Sequence, residues 1–514
     1  MTGNLPGDYL QLKDIQGYLT GDKKYKLADA QLQRSIRSYE FLKEFSKNKV
    51  IYGINTGFGP MAQYRVGDEN LKELQYNLIR SHANGTGDFL SPAATKIIMI
   101  CRLNTLALGF SGTSLGVLKT LESYIAHEIY PLIPQHGGVG ASGDLVQLAH
   151  LALGLIGEGK AYFRNEIVAT EYALQAANIK PADLELRDGL SLINGTSCMS
   201  GLATINLIQT STLLHYSVLA SSVMNELTAS YTDSFSEELN GTKLHPGQQF
   251  IAQKMRENLA DGNVLKNRKD HLFNEEYIDG QEFFSEKVQE YYSLRCVPQI
   301  IGPIYDTYLN AKKIVEEEIN SANDNPIVCA DTENVYHGGN FHGDYISFEM
   351  DKLKIGVTKM SMLMERQINY LMNNRLNNKF PAFLNMGKLG FNFGLQGMQF
   401  TAVSTTAENQ TLSNPVYVHS IPNNGDNQDI VSMGTNSALM AERVINNTFE
   451  VLSVQLAAIS QAIDIDQSYE KLSTASKALY DFVRKSIDVI KEDTPQYEGL
   501  ALLKANLLQS KEGL

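Results

Sequence analysis

Proline is scarce, 14 of 514 residues, and no Ser/Gly/Pro-rich linker or long run of like charge divides the chain. That suits a helix-rich body better than a loop-rich one. Cysteine is scarcer still. Cys101, Cys198, Cys296 and Cys329 form no CxxC pair, so no disulfide framework or zinc ribbon is expected and all four read as reduced thiols. Positive charge is in deficit, 44 Lys and Arg against 57 Asp and Glu for a net −13, which argues against nucleic acid as a partner. Long apolar runs are missing too: Arg102, Asn104, Gln147 and His150 cut the candidates well short of a membrane span. The first residues have neither a basic start nor an apolar core, so the expectation is a soluble, cytoplasmic protein with no membrane partner.

What is present is a large apolar fraction, 43%, beside only 20% charged residues, a balance that favours extensive subunit contacts. In the second half, Leu353, Val357, Met360, Met364, Ile368 and Leu371 recur at steps of three and four. Ile445, Phe449, Leu452, Leu456, Ile459 and Ile463 do the same. Both are stripes of long amphipathic helices, and a further helix is expected over about 204–227. The predicted class is mainly α, a long-helix bundle over 201–514 with a smaller, glycine-loop-rich part over 1–200. In the latter, glycines cluster at IYGINTGFG (51–59), RSHANGTGD (80–88) and HGGVGASGD (136–144), and such loops commonly carry chemistry.

Gly138, Gly140 and Gly143 formally spell GxGxxG before a helical pattern over 144–156. Pro131 and Pro134 spoil the central parallel strand that a dinucleotide site needs, and the nearest acid downstream is Glu158 rather than one about 20 residues on. No Lys follows the last glycine, so nucleotide hydrolysis has no support either. A plain turn before a helix, with Asp144 near the N-cap, is the bland reading. The tripeptide Ala141-Ser142-Gly143 offers another. The Gly143 nitrogen can attack the Ala141 carbonyl carbon, and loss of two waters, one carrying the Ser142 oxygen, leaves an exocyclic methylidene: an electrophile built from backbone. Neighbouring glycines supply the freedom this cyclisation needs.

GGVGASGDLVQLAH resembles the signature of the aromatic amino acid ammonia-lyases and related aminomutases, which carry the 4-methylidene-imidazol-5-one group, MIO. The likeness continues through IYGINTGFG, INGTS (193–197), YYSLRCVPQ (291–299), SANDNP (321–326), HGGNFHGD (337–344) and DNQDIVSMG (426–434). It implies a helical fold of the fumarase/aspartase-like superfamily and a homotetramer with shared active sites. It also implies MIO as cofactor, formed autocatalytically from Ala141-Ser142-Gly143, with no metal, pyridoxal phosphate or nucleotide.

The resemblance also implies residue roles. Ser142 becomes the methylidene that captures the substrate amine. Tyr52 is the base for the β-proton, although a phenol, titrating ordinarily at about 10, needs positive potential nearby. Asn194 hydrogen-bonds the carbonyl of the prosthetic ring, and Phe341 packs beside that ring. Arg295 holds the substrate carboxylate in its two-pronged guanidinium, while Tyr292, on the same face if the segment is helical, helps to position the substrate. His337, His342 and Asp344 fit no common metal-ligand spacing.

Selectivity rests on Ser81 and His82. A histidine there resembles the histidine- and tyrosine-selective members and disfavours phenylalanine, since a neutral imidazole can hydrogen-bond a phenol or another imidazole. Gln428 stands where histidine-selective members carry glutamate, which points to L-tyrosine. The stretches 49–65 and 337–355 resemble the bacterial tyrosine-selective branch. The expected reaction is L-tyrosine to trans-4-coumarate and ammonia. The alternatives are L-histidine to urocanate, or a tyrosine 2,3-aminomutase.

Overall fold

The computed structural model describes residues 9–273, 280, 282–284 and 287–514. Helix accounts for 59% of the protein and strand for 7%. The period-3.6 stripes materialise as the helices Asp344–Met372 and Gly434–Asp466, and the third expected helix as Ser197–Leu227. Every residue named in the first two stripes is buried.

The chain divides into two compact units. One holds the chain up to Leu207 with Ala311–Asp351 and Pro415–Glu442. The other holds Ile208–Asn310, Lys352–Asn414 and Arg443–Leu514. The first unit combines shorter helices with small antiparallel sheets. Tyr130–Pro131 pairs with Lys160–Phe163, itself paired with Glu166–Ala169, and Thr86–Phe89 pairs with Pro134–His136. The proline-bearing strands are thus short and lie at sheet edges, where a missing N–H costs no ladder bond.

In this unit the Pro92–Leu106 helix is entered at Ser91, whose hydroxyl accepts from the Ala94 N–H with Pro92 in the first turn. Ile97, Ile98, Met99, Ile100 and Leu103 are fully buried along it, and so, unusually, is Arg102. A satellite core of Leu42, Ile51, Ile54, Val328 and Val335 anchors the residues on either side of Tyr52.

The second unit holds the apolar lengths of the long helices, with a polar seam inside. The Gln367 amide donates to Ser221 Oγ (3.1 Å) and to the Ser293 carbonyl (2.7 Å), while Gln455 donates to Gln367 Oε1. Among the described residues no helix is long and apolar enough to cross a membrane.

Candidate active site

The glycine loop before the Leu145–Leu155 helix is gripped at both ends, all within the first unit. Met433 N–H donates to the Val139 carbonyl (2.9 Å), and Gly343 N–H and Ser432 Oγ both donate to Gly140 O (3.0 Å each). Beyond the tripeptide, Asp144 N–H donates to Gly195 O (2.8 Å). The Asp144 carboxylate accepts from Met199 N–H (2.9 Å), a first-turn amide of the Ser197–Leu227 helix with no partner inside it, and from Thr435 Oγ1. Burial pushes the Asp144 carboxyl up to about 6, against the lowering effect of these bonds and of Arg102.

Between the grips, Gly140 (φ +76°) and Gly143 (φ +70°) adopt left-handed backbone, and a Cβ on Gly143 would strike the Gly195 backbone. Only glycine fits. With the tripeptide in its linear form, Asn194 Nδ2 donates to the Ser142 carbonyl (3.0 Å) and Gln428 Nε2 to the Ser142 hydroxyl (2.9 Å). The Asn194 amide cannot turn round without loss, because its Oδ1 accepts from Asn325 N–H (2.8 Å). The Gly143 N–H, the nucleophile that such a cyclisation would need, makes no hydrogen bond among the described residues. The residues present therefore fit an MIO precursor: a nitrogen left free, flanking glycines, and a donor on the carbonyl destined for the ring.

Two buried arginines that drew no role from the sequence stand behind this loop. Arg102 donates to the carbonyls of Asn194 (2.7 Å) and Ser191 and to Asn323 Oδ1 (3.1 Å). Arg187 donates to Asn325 O (2.9 Å) and Pro326 O (3.0 Å) and pairs with Asp324 (3.3 Å). Burial lowers the affinity of Arg187 for its proton, while Asp324, Asp188 and the Tyr52 oxygen hold it up. A positive charge thus lies within electrostatic reach of Tyr52. The signal for Arg102 was in the sequence, a charge set among Ile100, Cys101 and Leu103 in a mostly apolar helix.

Tyr52 is half-buried. Its oxygen accepts from Gly59 N–H (3.1 Å) and its ring meets Phe58 edge-on, 6.1 Å between centroids. Gln75, fully buried on the Leu71–His82 helix, donates to Gly53 O (3.2 Å) and accepts from Leu190 N–H (3.1 Å), joining the Tyr52 loop to the Asp188–Ile193 helix that leads to Asn194. Ser81 and His82 end that same helix, which packs on Leu145–Leu155 and Asp188–Ile193. His82 Nδ1 lies 2.9 Å from the Leu78 carbonyl and 3.0 Å from Ser81 Oγ. A carbonyl only accepts, so Nδ1 carries the proton and Nε2 of the neutral ring is an acceptor. Phe341 is half-buried two residues before Gly343.

Tyr292 and Arg295 belong to the second unit, on the one-turn helix Tyr292–Arg295. Asn225 Nδ2 donates to the Leu294 carbonyl (3.3 Å), and Gln367 holds that of Ser293, so the backbone is fixed. The Tyr292 side chain is 69% exposed, with the Arg295 guanidinium 4.7 Å from its ring centroid. Arg295 Nη1 donates to Gln289, but its Nε is buried with no hydrogen-bond partner among the described residues. Arg295 opens on a cavity of about 480 Å³ lined also by Tyr231, Arg268 and Gln299.

Residues 10–485 match the family model for aromatic amino acid lyases. The chain is similar to the tyrosine 2,3-aminomutase of Chondromyces crocatus, 36% identical over 98% of this chain and 95% of that one. It is also similar to the histidine ammonia-lyase of Staphylococcus saprophyticus, 36% identical over 96% of each. Among solved structures it superposes on the phenylalanine aminomutase of Pantoea agglomerans with a TM-score of 0.95, at 33% identity over 99% of both chains.

Proposed function

This chain belongs to the aromatic amino acid lyase family, and on that premise we propose that it deaminates L-tyrosine to trans-4-coumarate and ammonia. MIO, formed from Ala141-Ser142-Gly143, supplies the electrophile that turns the substrate amine into a leaving group. Asn194, through its bond to the Ser142 carbonyl, draws electrons away from that electrophile. Tyr52 takes the β-proton, with the Gly59 amide donating to its oxygen. Arg295 holds the substrate carboxylate, and Tyr292 orients the substrate. Phe341 packs beside the prosthetic ring.

The observation that carries tyrosine over phenylalanine is the tautomer of His82. With Nδ1 committed to Leu78, Nε2 accepts from a substrate hydroxyl. Gln428 brings no carboxylate to attract an imidazole. Exposed Phe391, Phe393 and Phe400 support assembly into a homotetramer with shared active sites, and four unpaired cysteines suit the cytoplasm.

The test is kcat/KM on L-tyrosine, L-histidine, L-phenylalanine and 4-methoxyphenylalanine side by side. Tyrosine should lead L-phenylalanine and 4-methoxyphenylalanine, which lack its hydroxyl donor, by about tenfold or more. Urocanate as the main product would overturn this reading. The likeness to a tyrosine 2,3-aminomutase favours a second one, which β-tyrosine accumulating in place of coumarate would establish.

A further inference from the structure

Asn194 and Gln428 donate to two different oxygens of Ser142, and the two oxygens have different fates. If the tripeptide becomes MIO, as the proposed function requires, the carbonyl stays and becomes the ring carbonyl. The hydroxyl leaves. We propose that Gln428 is a maturation residue, whose amide holds the Ser142 oxygen as it departs and is released for the substrate only afterwards.

The chemistry separates into two losses of water. In the first, the Gly143 nitrogen bonds to the Ala141 carbonyl carbon. The oxygen of that carbon leaves with one hydrogen from Gly143 N and one from Ser142 N, and a C=N bond forms. In the second, the Ser142 Cα gives up its hydrogen as a proton, and the electron pair left behind forms the Cα=Cβ bond. The Cβ–Oγ bond breaks towards oxygen, which takes up a proton and leaves as water. No redox partner is needed.

The first loss involves no atom that Gln428 touches. The second builds negative charge on the one atom that Gln428 Nε2 reaches, at 2.9 Å. A fixed donor aimed at developing charge is the arrangement that lowers such a barrier. The geometry suits the task. Gln428 is buried, and Asn423 holds its backbone through a reciprocal pair of hydrogen bonds (3.1 and 3.3 Å). Once the oxygen has gone, the amide is left beside the new methylidene with its donor free.

The experiment follows the intact mass of the full-length chain over time after cell-free synthesis, for wild type, Gln428→Leu and Gln428→Met. Both substitutions remove the donor at similar side-chain length, and circular dichroism confirms the helical fold of each. Wild type should reach a deficit of two waters. The variants should pause at a deficit of one, with the second loss slowed by about a hundredfold. A folded variant reaching two waters at the wild-type rate would overturn the proposal, and so would one that loses none, since Gln428 would then act at ring closure. Wild-type protein with no deficit at all would instead overturn the MIO reading beneath it.

Discussion

In the 140–144 loop, Gly140 O, both Ser142 oxygens, Asp144 N–H and the Asp144 carboxylate all have fixed partners, while the Gly143 N–H has none among the described residues. In the Tyr292–Arg295 turn the backbone is held, and the Arg295 side chain is tied through Nη1 to exposed Gln289. Tyr292 projects outward, and the Arg295 Nε is buried without a partner. The difference separates two kinds of preorganisation. A group that must polarise and make an electrophile is most effective when its dipoles are already aimed, because no reorganisation is then needed during reaction. A group that must grip a ligand keeps hydrogen-bonding capacity in reserve.

Four substitutions test that contrast. Ser142→Ala carries the largest expected effect, a loss of at least about a hundredfold in kcat with the unfolding curve unchanged, because it removes the electrophile and little volume. Activity comparable to wild type would break the comparison at its first term. Next comes stability. Arg102→Met leaves the carbonyls of Ser191 and Asn194 without their donor and should lower urea stability by about 3–5 kcal/mol, whereas Gln289→Ala, at the exposed partner of Arg295, should stay within about 0.5 kcal/mol of wild type. Equal losses in the two would show that both regions are built alike. The smallest effect is expected from His82→Phe, which should move the tyrosine-to-phenylalanine ratio of kcat/KM by about tenfold towards phenylalanine. An unchanged ratio would remove His82 as the reader of the substrate ring.

The long helices were legible because their burial repeats every three to four residues, as Leu353 to Leu371 and Ile445 to Ile463 display. The Ser142, Asn194 and Gln428 segments were legible as motifs, and the fold brings these three far-separated stretches into hydrogen-bond contact. Arg102, Arg187 and Gln75 drew no role because many of their partners are main-chain atoms: the carbonyls of Ser191, Asn194, Asn325 and Gly53 and the Leu190 amide. Any residue type supplies such atoms, so no pattern of side chains announces the pairing. The commitment of His82 Nδ1 to Leu78 is likewise invisible until the last turn of its helix is built.

Gln75 ties the loop of Tyr52 and the helix leading to Asn194 to opposite atoms of one amide group. The span between Tyr52 and Asn194 is therefore gauged by a single planar spacer, and slack at one end is felt at the other. A chain that loses this spacer would not merely loosen two parts; it would let them drift independently.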